Sequence, residues 1–266
     1  MKRALLFASL PLTACSSSAP RQTYYYYVDS RDFDDGGYFE QACTGCPPYL
    51  TCLGAAPFDL GVAQVECANR TPTGGRRPAE LVRGDTDGVL VGRWLAEAAQ
   101  IEAASMPAFE ILARELEAHD APPSLIARAL ASADDERRHA RIMASLARAH
   151  GATPGPVRVV VREPRDLAAI ARENAVEGLV REAYGARVAI DPAIGADEQR
   201  HAALAADVHA WIRPRLPYAA RLRVDEARDA ARAQLVAECA VELPRAVRDA
   251  LGLPDATRAV ELAHLV

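Results

Sequence analysis

Aromatic residues are scarce in this chain, at 6% of its 266 residues, and positive charge is not in excess. The net charge of −5 provides no basic surface of the kind that binds nucleic acid, so we expect no nucleic-acid partner. No Gly-rich phosphate-binding loop occurs, and no serine lies in the context of a nucleophile elbow. Alanine and arginine are abundant instead, and this composition favours helices over strands.

The N-terminal segment has the pattern of a signal peptide. Lys2 and Arg3 precede a short apolar run at residues 4–12, "ALLFASLPL", which is too short to span a bilayer as a folded helix. The run ends in "LTAC", residues 12–15, which resembles the lipobox of bacterial lipoproteins. The resemblance implies that residues 1–15 form a lipoprotein signal peptide with its lipobox Cys, and that Cys15 carries the lipid anchor.

An ordinary secretory signal followed by a chance Cys is the alternative. Either route takes the protein out of the cytoplasm, so we expect a cell-envelope location. Ser16 stands where some enteric lipoproteins carry an Asp that retains them in the inner membrane. The resemblance therefore implies an outer-membrane lipoprotein, facing the periplasm or the cell surface, whose expected partner is the membrane itself.

The composition of residues 16–40 predicts a flexible tether. Ser, Pro, Gly and Asp dominate, and no helical periodicity is present. Four consecutive tyrosines at residues 24–27 allow a second interpretation, a sticky patch or an edge strand. We prefer the tether, because such runs are more often loosely packed linkers.

Residues 41–87 predict a small Cys-rich loop module. A zinc ribbon would need a second Cys-x-x-Cys, and a thioredoxin-like site would need a βαβ pattern, and neither follows. Two disulfides are the better interpretation in an oxidising compartment, and all three pairings stay open. Cys239 is left over, and its helical context predicts a buried free thiol. The disulfide candidates are Cys43, Cys46, Cys52 and Cys67.

From residue 88 to 214 the pattern becomes helical, with an apolar stripe along each segment. "HDAPPS" ends the first predicted helix and Gly151 ends the second, while "IDPAIG" separates the third from the fourth. Pro214 and Pro217 end the fourth helix, and residues 215–266 predict a helical extension. We therefore predict an all-α fold, a four-helix bundle with extra C-terminal helices.

Two nearly identical boxes occur in this region, "DERRHA" at residues 135–140 and "DEQRHA" at residues 197–202. Each lies on the second helix of a predicted pair, which indicates an internal duplication with pseudo-twofold symmetry. Glu and His are three residues apart in each box, so both side chains lie on one helix face and can share an ion. Carboxylate with imidazole, without thiolate, suits iron or manganese rather than a structural zinc.

A two-metal site also needs carboxylates from the other two helices. Glu102 in "IEAAS" and Glu177 in "VEGLV" both follow an aliphatic residue and precede a small one, where a neighbouring helix can approach closely. The distance to the next box is 34 residues from Glu102 to Glu136, but 21 from Glu177 to Glu198. In a strictly antiparallel pair Glu182 would face Glu198 better than Glu177 does. We prefer Glu177 because its offset from the following turn resembles that of Glu102, and the choice stays open.

This arrangement resembles the ferritin-like family of di-iron carboxylate bundles, which take one Glu from each of two helices and Glu-x-x-His from each of the others. The resemblance covers roughly residues 92–214. It implies two iron ions, or manganese, that react with dioxygen or peroxide and oxidise Fe²⁺ or a substrate. Asp135 and Asp197 are either acceptors that orient the ligand histidines or solvated charges. The implied ligands are Glu102, Glu136, His139, Glu177, Glu198 and His201.

Two functions are compatible with these features. The first is a lipid-anchored ferritin-like protein with a dinuclear metal centre, which would oxidise Fe²⁺, remove peroxide or oxidise another substrate as a di-iron oxidoreductase. The second is a non-catalytic structural or binding lipoprotein that uses the bundle as a scaffold. The six ligand-type residues favour the first function, and the shortened second helix pair favours the second.

Overall fold

The structure is a computed structural model, and it describes residues 23–29, 51–59, 61–68, 74–78, 81–88, 90–161 and 163–266. The described chain is mostly helical, as the composition predicts. Internal contacts divide it into two compact units, one of Met1–Arg70 with Val241–Pro244 and one of Thr71–Ala240 with Arg245–Val266. The predicted signal peptide with Cys15, and also Cys43 and Cys46, lie outside the described residues, so lipidation and disulfide formation stay predictions.

The described part of the first unit is an antiparallel sheet of β1 (Thr23–Asp29), β2 (Thr51–Asp59) and β3 (Val62–Ala68), with β3 in the centre. The tyrosine run lies in β1, at an edge of this sheet, because aromatic residues suit a pleated surface. The tether prediction therefore does not hold for this stretch, and the edge-strand alternative does. Cys52 lies directly opposite Cys67 in the backbone register of β2 and β3.

The first helix pair consists of α1 (Leu90–Ala118) and α2 (Pro123–Ala149), which pack along each other in opposite directions. Asp120 turns the chain with a positive φ of 54°, and Pro123 occupies the start of α2, where its missing N–H costs nothing. Gly151 follows α2 with a positive φ of 73°, a conformation typical of helix C-termini. The predicted breaks at "HDAPPS" and Gly151 are confirmed.

The second helix pair begins with a helical stretch in three parts, α3 (Leu167–Glu173), a π-helix (Asn174–Glu182) and α4 (Ala183–Val188). Its partner is α5 (Pro192–Ile212), which Asp191 caps by accepting a hydrogen bond from a first-turn amide at 2.7 Å. The π-helix is nine residues long, and the apolar periodicity of the sequence did not predict it. It changes which side chains of the third helical stretch face inward.

The two pairs enclose a common hydrophobic core. Its buried side chains come from α1, α2, α3, the π-helix, α5 and the residues that follow α5, and alanines are frequent among them, which lets the helices approach closely. Each fully buried Leu, Ile or Phe contributes about 1.5–3 kcal/mol relative to an exposed one. This core fixes the positions of the helices that carry the two boxes. Its larger members include Phe109, Leu112, Leu116, Ile170, Leu204 and Ile212.

The predicted C-terminal extension is helical. A 3₁₀ turn at Arg213–Arg215 leads into α6 (Tyr218–Cys239), which is followed by α7 (Arg245–Leu251) and α8 (Ala256–Ala263). Side chains of α6 and α8 bury a second cluster against the π-helix and α4. Cys239 is fully buried there, as predicted, and is not part of a disulfide. The cluster includes Val180, Tyr184, Leu235, Cys239 and Ala259.

Two short strands, β4 (Leu81–Arg83) and β5 (Val157–Val159), pair antiparallel within the second unit. β4 belongs to residues 41–87, which we predicted as one Cys-rich module, but the compact helical unit already begins at Thr71. Among the residues that the structure describes, no helix combines the length and the hydropathy that membrane crossing requires.

The close approach of the π-helix to α5 gives a test of this packing. A Cβ at Gly178 would lie 2.4 Å from Cβ of Ala205, so we expect Gly178→Ala to lower the free energy of unfolding by about 1–3 kcal/mol. A Cβ at Gly195 of α5 meets its nearest neighbour, Cβ of Ala189, at an ordinary 3.4 Å. Gly195→Ala should therefore be neutral, or stabilising by up to about 1 kcal/mol. Equal effects of both variants in urea unfolding would contradict the packing described.

Candidate metal centre

Three glutamates and one histidine converge in the interior of the helical unit. Glu102 lies in the middle of α1, Glu136 and His139 lie on α2, and Glu198 lies on α5. Each offers one ligand atom, and these four atoms all lie within 4.8 Å of one another. Glu136 and His139 are 0% exposed, Glu198 is 2% exposed and Glu102 is 5% exposed. A buried set of carboxylate oxygens and an imidazole nitrogen could hold a metal ion.

The two histidines flank the same pair of glutamates. Nδ1 of His139 lies 3.7 Å from Oε2 of Glu136 and 3.8 Å from Oε1 of Glu198. Nδ1 of His201 lies 3.3 Å from Oε1 of Glu136 and 4.0 Å from Oε2 of Glu198. Each glutamate therefore offers one oxygen toward each histidine, with the two ring centres 6.1 Å apart. The carboxylates of Glu136 and Glu198 are therefore shared by the two histidines.

Several buried carboxylate and imidazole atoms in and around this group have no hydrogen-bond partner among the described residues. An unpaired buried polar atom costs about 1–3 kcal/mol, and a charged one costs more, so native proteins keep only a few. Such a concentration in one place therefore calls for another group that satisfies these atoms. They are Oε2 of Glu102, both carboxylate oxygens of Glu136, Glu182 and Glu198, and Nδ1 of His139 and His201.

The aspartate of each box binds the histidine of the other box. Nε2 of His139 donates to Oδ2 of Asp197 at 2.9 Å, and Nε2 of His201 donates to Oδ2 of Asp135 at 3.4 Å. A proton held on Nε2 leaves the lone pair of Nδ1 facing the glutamates. Of the two interpretations that the sequence left open, the geometry shows that both aspartates are acceptors for the histidines.

Arginines of the boxes cover the same aspartates from the outside. Arg138 donates to Asp135 at 2.8 Å and also to Asp197, and Arg200 donates to Asp135 at 3.0 Å and to Asp197. The pKa of Asp135 is lowered, first by the hydrogen bond with His201 and further by both arginines. Both aspartates thus stay ionised as acceptors. Each polar residue that the two boxes share makes contacts at the site. Asp and Arg form an outer layer around the histidines, and Glu and His form an inner layer.

The inner carboxylates have strongly shifted pKa values. Burial raises the pKa of Glu102 and of Glu198 well above the usual range, and the neighbouring Glu136 raises both further. Burial also acts to raise the pKa of Glu136, but His139 and His201 beside it lower that pKa to about 2. In the metal-free protein, Glu136 therefore ionises more readily than Glu102 and Glu198.

His201 is the cation of the metal-free group. Burial acts to lower its pKa, but the close contacts with Asp135 and Glu136, whose oxygens lie 3.4 Å and 3.3 Å from the two ring nitrogens, outweigh burial and raise the pKa to about 11. A metal ion at Nδ1 of His201 would have to displace a proton from this group.

Glu177, the predicted ligand of the third helical stretch, is buried between arginines. Its Oε2 accepts a hydrogen bond from the backbone N–H of Arg77 at 3.2 Å, and its Oε1 lies 3.9 Å from Nε of Arg181. Burial raises the pKa of Glu177, and the positive charges of Arg181 and Arg77 oppose that shift. Glu177 is not among the four residues whose ligand atoms converge, and neither are Glu182 and His201.

Glu182, the alternative that the sequence left open, interacts with the group. It is 0% exposed, and both of its carboxylate oxygens lack a hydrogen-bond partner. Burial raises its pKa to about 7, against the lowering effects of Arg76 and His201, and the negative charge of Glu136 adds to the rise. Glu182 therefore lies within electrostatic reach of both boxes.

The π-helix explains why sequence periodicity did not decide between the two glutamates. Glu177 and Glu182 are five residues apart, and i→i+5 hydrogen bonds run through this stretch in place of i→i+4 bonds. The wider turn rotates the following side chains relative to their positions in an α-helix. The number of residues from a neighbouring turn therefore does not predict which glutamate faces inward. Such bulges occur frequently at functional sites.

A small cavity adjoins the group. Its volume is about 30 Å³, enough for about two water-sized molecules, and its only acidic lining residues are Glu102 and Glu198. The remaining lining is mostly aliphatic or aromatic, so the cavity is an apolar space with carboxylates at one end. It is lined by Gly74, Trp94, Ala98, Ile101, Glu102, Met143, Gly185, Val188, Ala189, Ile190, Ile194 and Glu198.

The raised pKa values predict how the stability of the metal-free protein depends on pH. Glu182, with a pKa of about 7 against an ordinary 4.5, contributes stability that is complete below pH 4.5 and is lost as pH rises through 7. The contribution of His201, with a pKa of about 11 against 6.5, is complete below pH 6.5 and is lost as pH rises through 11. We therefore expect the free energy of unfolding to fall between about pH 6 and pH 9.

Glu182→Gln tests this dependence. Glutamine stays neutral at all pH values. The free energy of unfolding of the variant should therefore exceed that of the natural chain at pH 8 by on the order of 1–3 kcal/mol, and this gain should be smaller at pH 5. Urea unfolding with chelator present at both pH values measures the difference. A stability gain that is the same at both pH values would show that Glu182 does not titrate in this range.

Comparisons with known proteins do not attach a family to this centre. No protein-family model matches the chain, no curated protein is significantly similar to it, and no solved structure is significantly similar to its fold. The resemblance to ferritin-like carboxylate bundles therefore depends on the two boxes and the geometry around them.

Proposed function

We propose that this chain is a ferritin-like protein of the cell envelope whose helical unit holds a dinuclear metal centre of two iron ions, with manganese as the alternative metal. The observation that carries the proposal is a cluster of buried carboxylate oxygens and imidazole nitrogens that have no hydrogen-bond partner. Both boxes and two further glutamates contribute these possible ligand atoms. Unpaired buried carboxylates are costly, and metal ions would compensate them.

The proposed ligands are Glu102, Glu136, His139, Glu198 and His201, together with Glu182 in the place that we first gave to Glu177. Two divalent ions would balance four glutamate carboxylates, and a thiolate-free set of oxygens and imidazoles suits iron or manganese. Glu136 and Glu198 would take part in holding both ions, because each offers one oxygen toward each histidine.

Two bound iron ions would supply redox chemistry with dioxygen or peroxide, oxidising Fe²⁺ or another small substrate. The chain's own contribution is to hold the ligands and to limit access. Asp135 and Asp197 hold the proton on the outer nitrogen of each histidine, which leaves the inner nitrogen available. The apolar cavity beside Glu102 and Glu198 admits only molecules of a few atoms, which fits dioxygen and peroxide better than a large organic substrate.

The proposal includes the envelope location. Cys15 would carry the lipid anchor at the outer membrane, and the parts of residues 16–40 around β1 would act as the tether. The Cys-rich module would contain two disulfides, and the backbone register makes Cys52 with Cys67 the first pairing to test. Opposed residues of antiparallel strands have Cα atoms about 4.5–5.5 Å apart, within the range that a disulfide spans.

A non-catalytic scaffold is the second candidate. The observation that favours it is the ion pairing of His201, whose positive charge lies between Asp135 and Glu136. That pairing compensates part of the buried charge without any metal. Under this function the boxes would stabilise the bundle, and the protein would act through its other surfaces.

Metal content separates these functions. After anaerobic loading with Fe²⁺ of the protein that starts at residue 16, we expect about two iron ions per chain by mass spectrometry. The Glu136→Ala, Glu198→Ala double variant should lose both ions, because it removes the two glutamates shared between the positions. Absence of bound iron in the unmutated protein would exclude the oxidoreductase function and leave the scaffold.

Single variants decide which glutamate of the third helical stretch is a ligand. Glu182→Gln should lower the iron content to about one ion per chain, whereas Glu177→Gln should retain both. The opposite result would restore Glu177 as the ligand and place Glu182 outside the centre.

The aspartates of the boxes have a measurable effect of their own. Asp135→Asn and Asp197→Asn should each weaken metal affinity by about 10- to 100-fold, because an amide can hold the imidazole in the wrong tautomer. Asp207→Asn is the matched control, since Asp207 pairs only with the surface Arg128 in the described contacts. Equal affinities of all three variants would show that the histidines need no orienting acceptor.

A further inference from the structure

A short segment that precedes the helices passes through the interior of the helical unit. We call residues Gly74–Arg77 the crossing segment. Gly75 and Arg76 are buried, and Arg76 is 1% exposed, although the segment has no regular secondary structure. Buried irregular backbone is unusual, because its polar groups must find partners inside the protein.

Gly75 lies directly against the carboxylate of Glu102. A Cβ at Gly75 would be 2.3 Å from Oγ of Ser105 and 3.2 Å from Oε2 of Glu102, and one at Gly74 would be 3.4 Å from Oε1 of Glu102. Gly75 also adopts a φ of +65°, which side chains other than glycine rarely adopt. The position thus excludes other residues on two counts, and one of them is the space that Ser105 and, less tightly, Glu102 occupy.

Arg76 fixes the segment between two elements. Its carbonyl oxygen accepts a hydrogen bond from Oγ of Ser105 on α1 at 2.9 Å. Its Nη2 donates to Oδ1 of Asn174 at 3.2 Å, at the start of the π-helix, and its Nε lies 3.6 Å from Oε1 of Glu173. The guanidinium carbon also lies 5.6 Å from the centre of the Phe109 ring.

The same contacts lead back to the metal ligands. Phe109 packs against the His201 ring with the two centres 5.0 Å apart. Asn174, which accepts from Arg76, also donates to the backbone oxygen of Ala205 on α5 at 2.8 Å. The crossing segment is therefore bonded to α1 and to the π-helix, and Asn174 extends the connection to α5.

We infer that the crossing segment is a structural part of the proposed metal centre, in which Gly75 positions Glu102 and Arg76 anchors the segment between α1 and the π-helix that carries Glu182. This inference rests on the proposed function. It makes Gly75 and Arg76 positioning residues, which touch no ion themselves. The segment limits the positions that the Glu102 carboxylate can adopt. The carboxylate is therefore held in place before any metal arrives.

Gly75→Ala and Gly252→Ala form a matched pair of variants for the test. Gly252 has a φ of +64°, almost the same as that of Gly75, but a Cβ there would meet nothing within 4 Å. Both variants thus introduce the same backbone strain, and only the first crowds Glu102. The probe is Co²⁺, whose visible absorption reports coordination geometry and whose binding isotherm gives the affinity.

We expect Gly75→Ala to weaken Co²⁺ affinity by at least about tenfold and to shift the visible bands, while Gly252→Ala changes neither. Co²⁺ affinity and bands like those of the natural chain in a folded Gly75→Ala variant would overturn the inference and leave the proposed function standing. Failure of the natural chain itself to bind Co²⁺ or Fe²⁺ would overturn the proposed function, and this inference with it.

Variants of Arg76 keep the test decisive where Gly75→Ala does not fold. Arg76→Met should weaken Co²⁺ affinity and shift the bands, because the segment loses its bond to Asn174. Arg76→Lys should retain part of the Co²⁺ affinity and part of the natural band positions, since lysine keeps a buried hydrogen-bond donor at this position. Natural affinity and bands in Arg76→Met would count against the inference in the same way.

Discussion

The burial of several carboxylates in one place is the constraint on which the helical unit depends. Glu102, Glu136, Glu182 and Glu198 lie inside a protein interior, where like charges repel strongly and an unpaired charge is costly. The metal-free chain reduces this cost by favouring the protonated forms of Glu102, Glu182 and Glu198, whose pKa values burial raises, and by placing the charged His201 beside Glu136. The proposed metal ions would replace these protons and that ion pair. The alanine-rich core and the close helix contacts around the group hold the acids together against their repulsion.

The inner and outer layers of the boxes have separate tasks. Glutamate and histidine face inward, where the absence of hydrogen-bond partners makes them available to an ion. Aspartate and arginine face outward, where Arg138 and Arg200 keep the aspartates ionised as acceptors. The exposed arginines add little stability by themselves, since solvent screens such pairs. Their effect is to fix two aspartates that in turn fix two imidazole rings.

The sequence was sufficient for the parts of the site that follow an α-helical period. The three-residue spacing of Glu136 with His139 and of Glu198 with His201 places each pair on one face, and the structure agrees. Two features could not be derived in this way. The π-helix shifts the inward face by a residue, and no local propensity distinguishes it from an α-helix. The crossing segment reaches the centre through tertiary contacts of Gly75 and Arg76, which have no periodic signal in the sequence. The strand at residues 23–29 likewise depends on pairing with a distant strand.

The exchange of aspartates between the boxes has a consequence for how such a centre is assembled. Asp135 accepts a hydrogen bond from the histidine of the second helix pair, and Asp197 accepts one from the histidine of the first pair. A single helix pair therefore cannot orient its own histidine, and it becomes complete only opposite another pair that carries the same box. Two identical pairs related by a twofold axis would satisfy this requirement, since a contact from one to the other is then returned. In this chain both halves are covalently joined, so the two halves can diverge in length, as the shorter second pair has, while the reciprocal contacts persist.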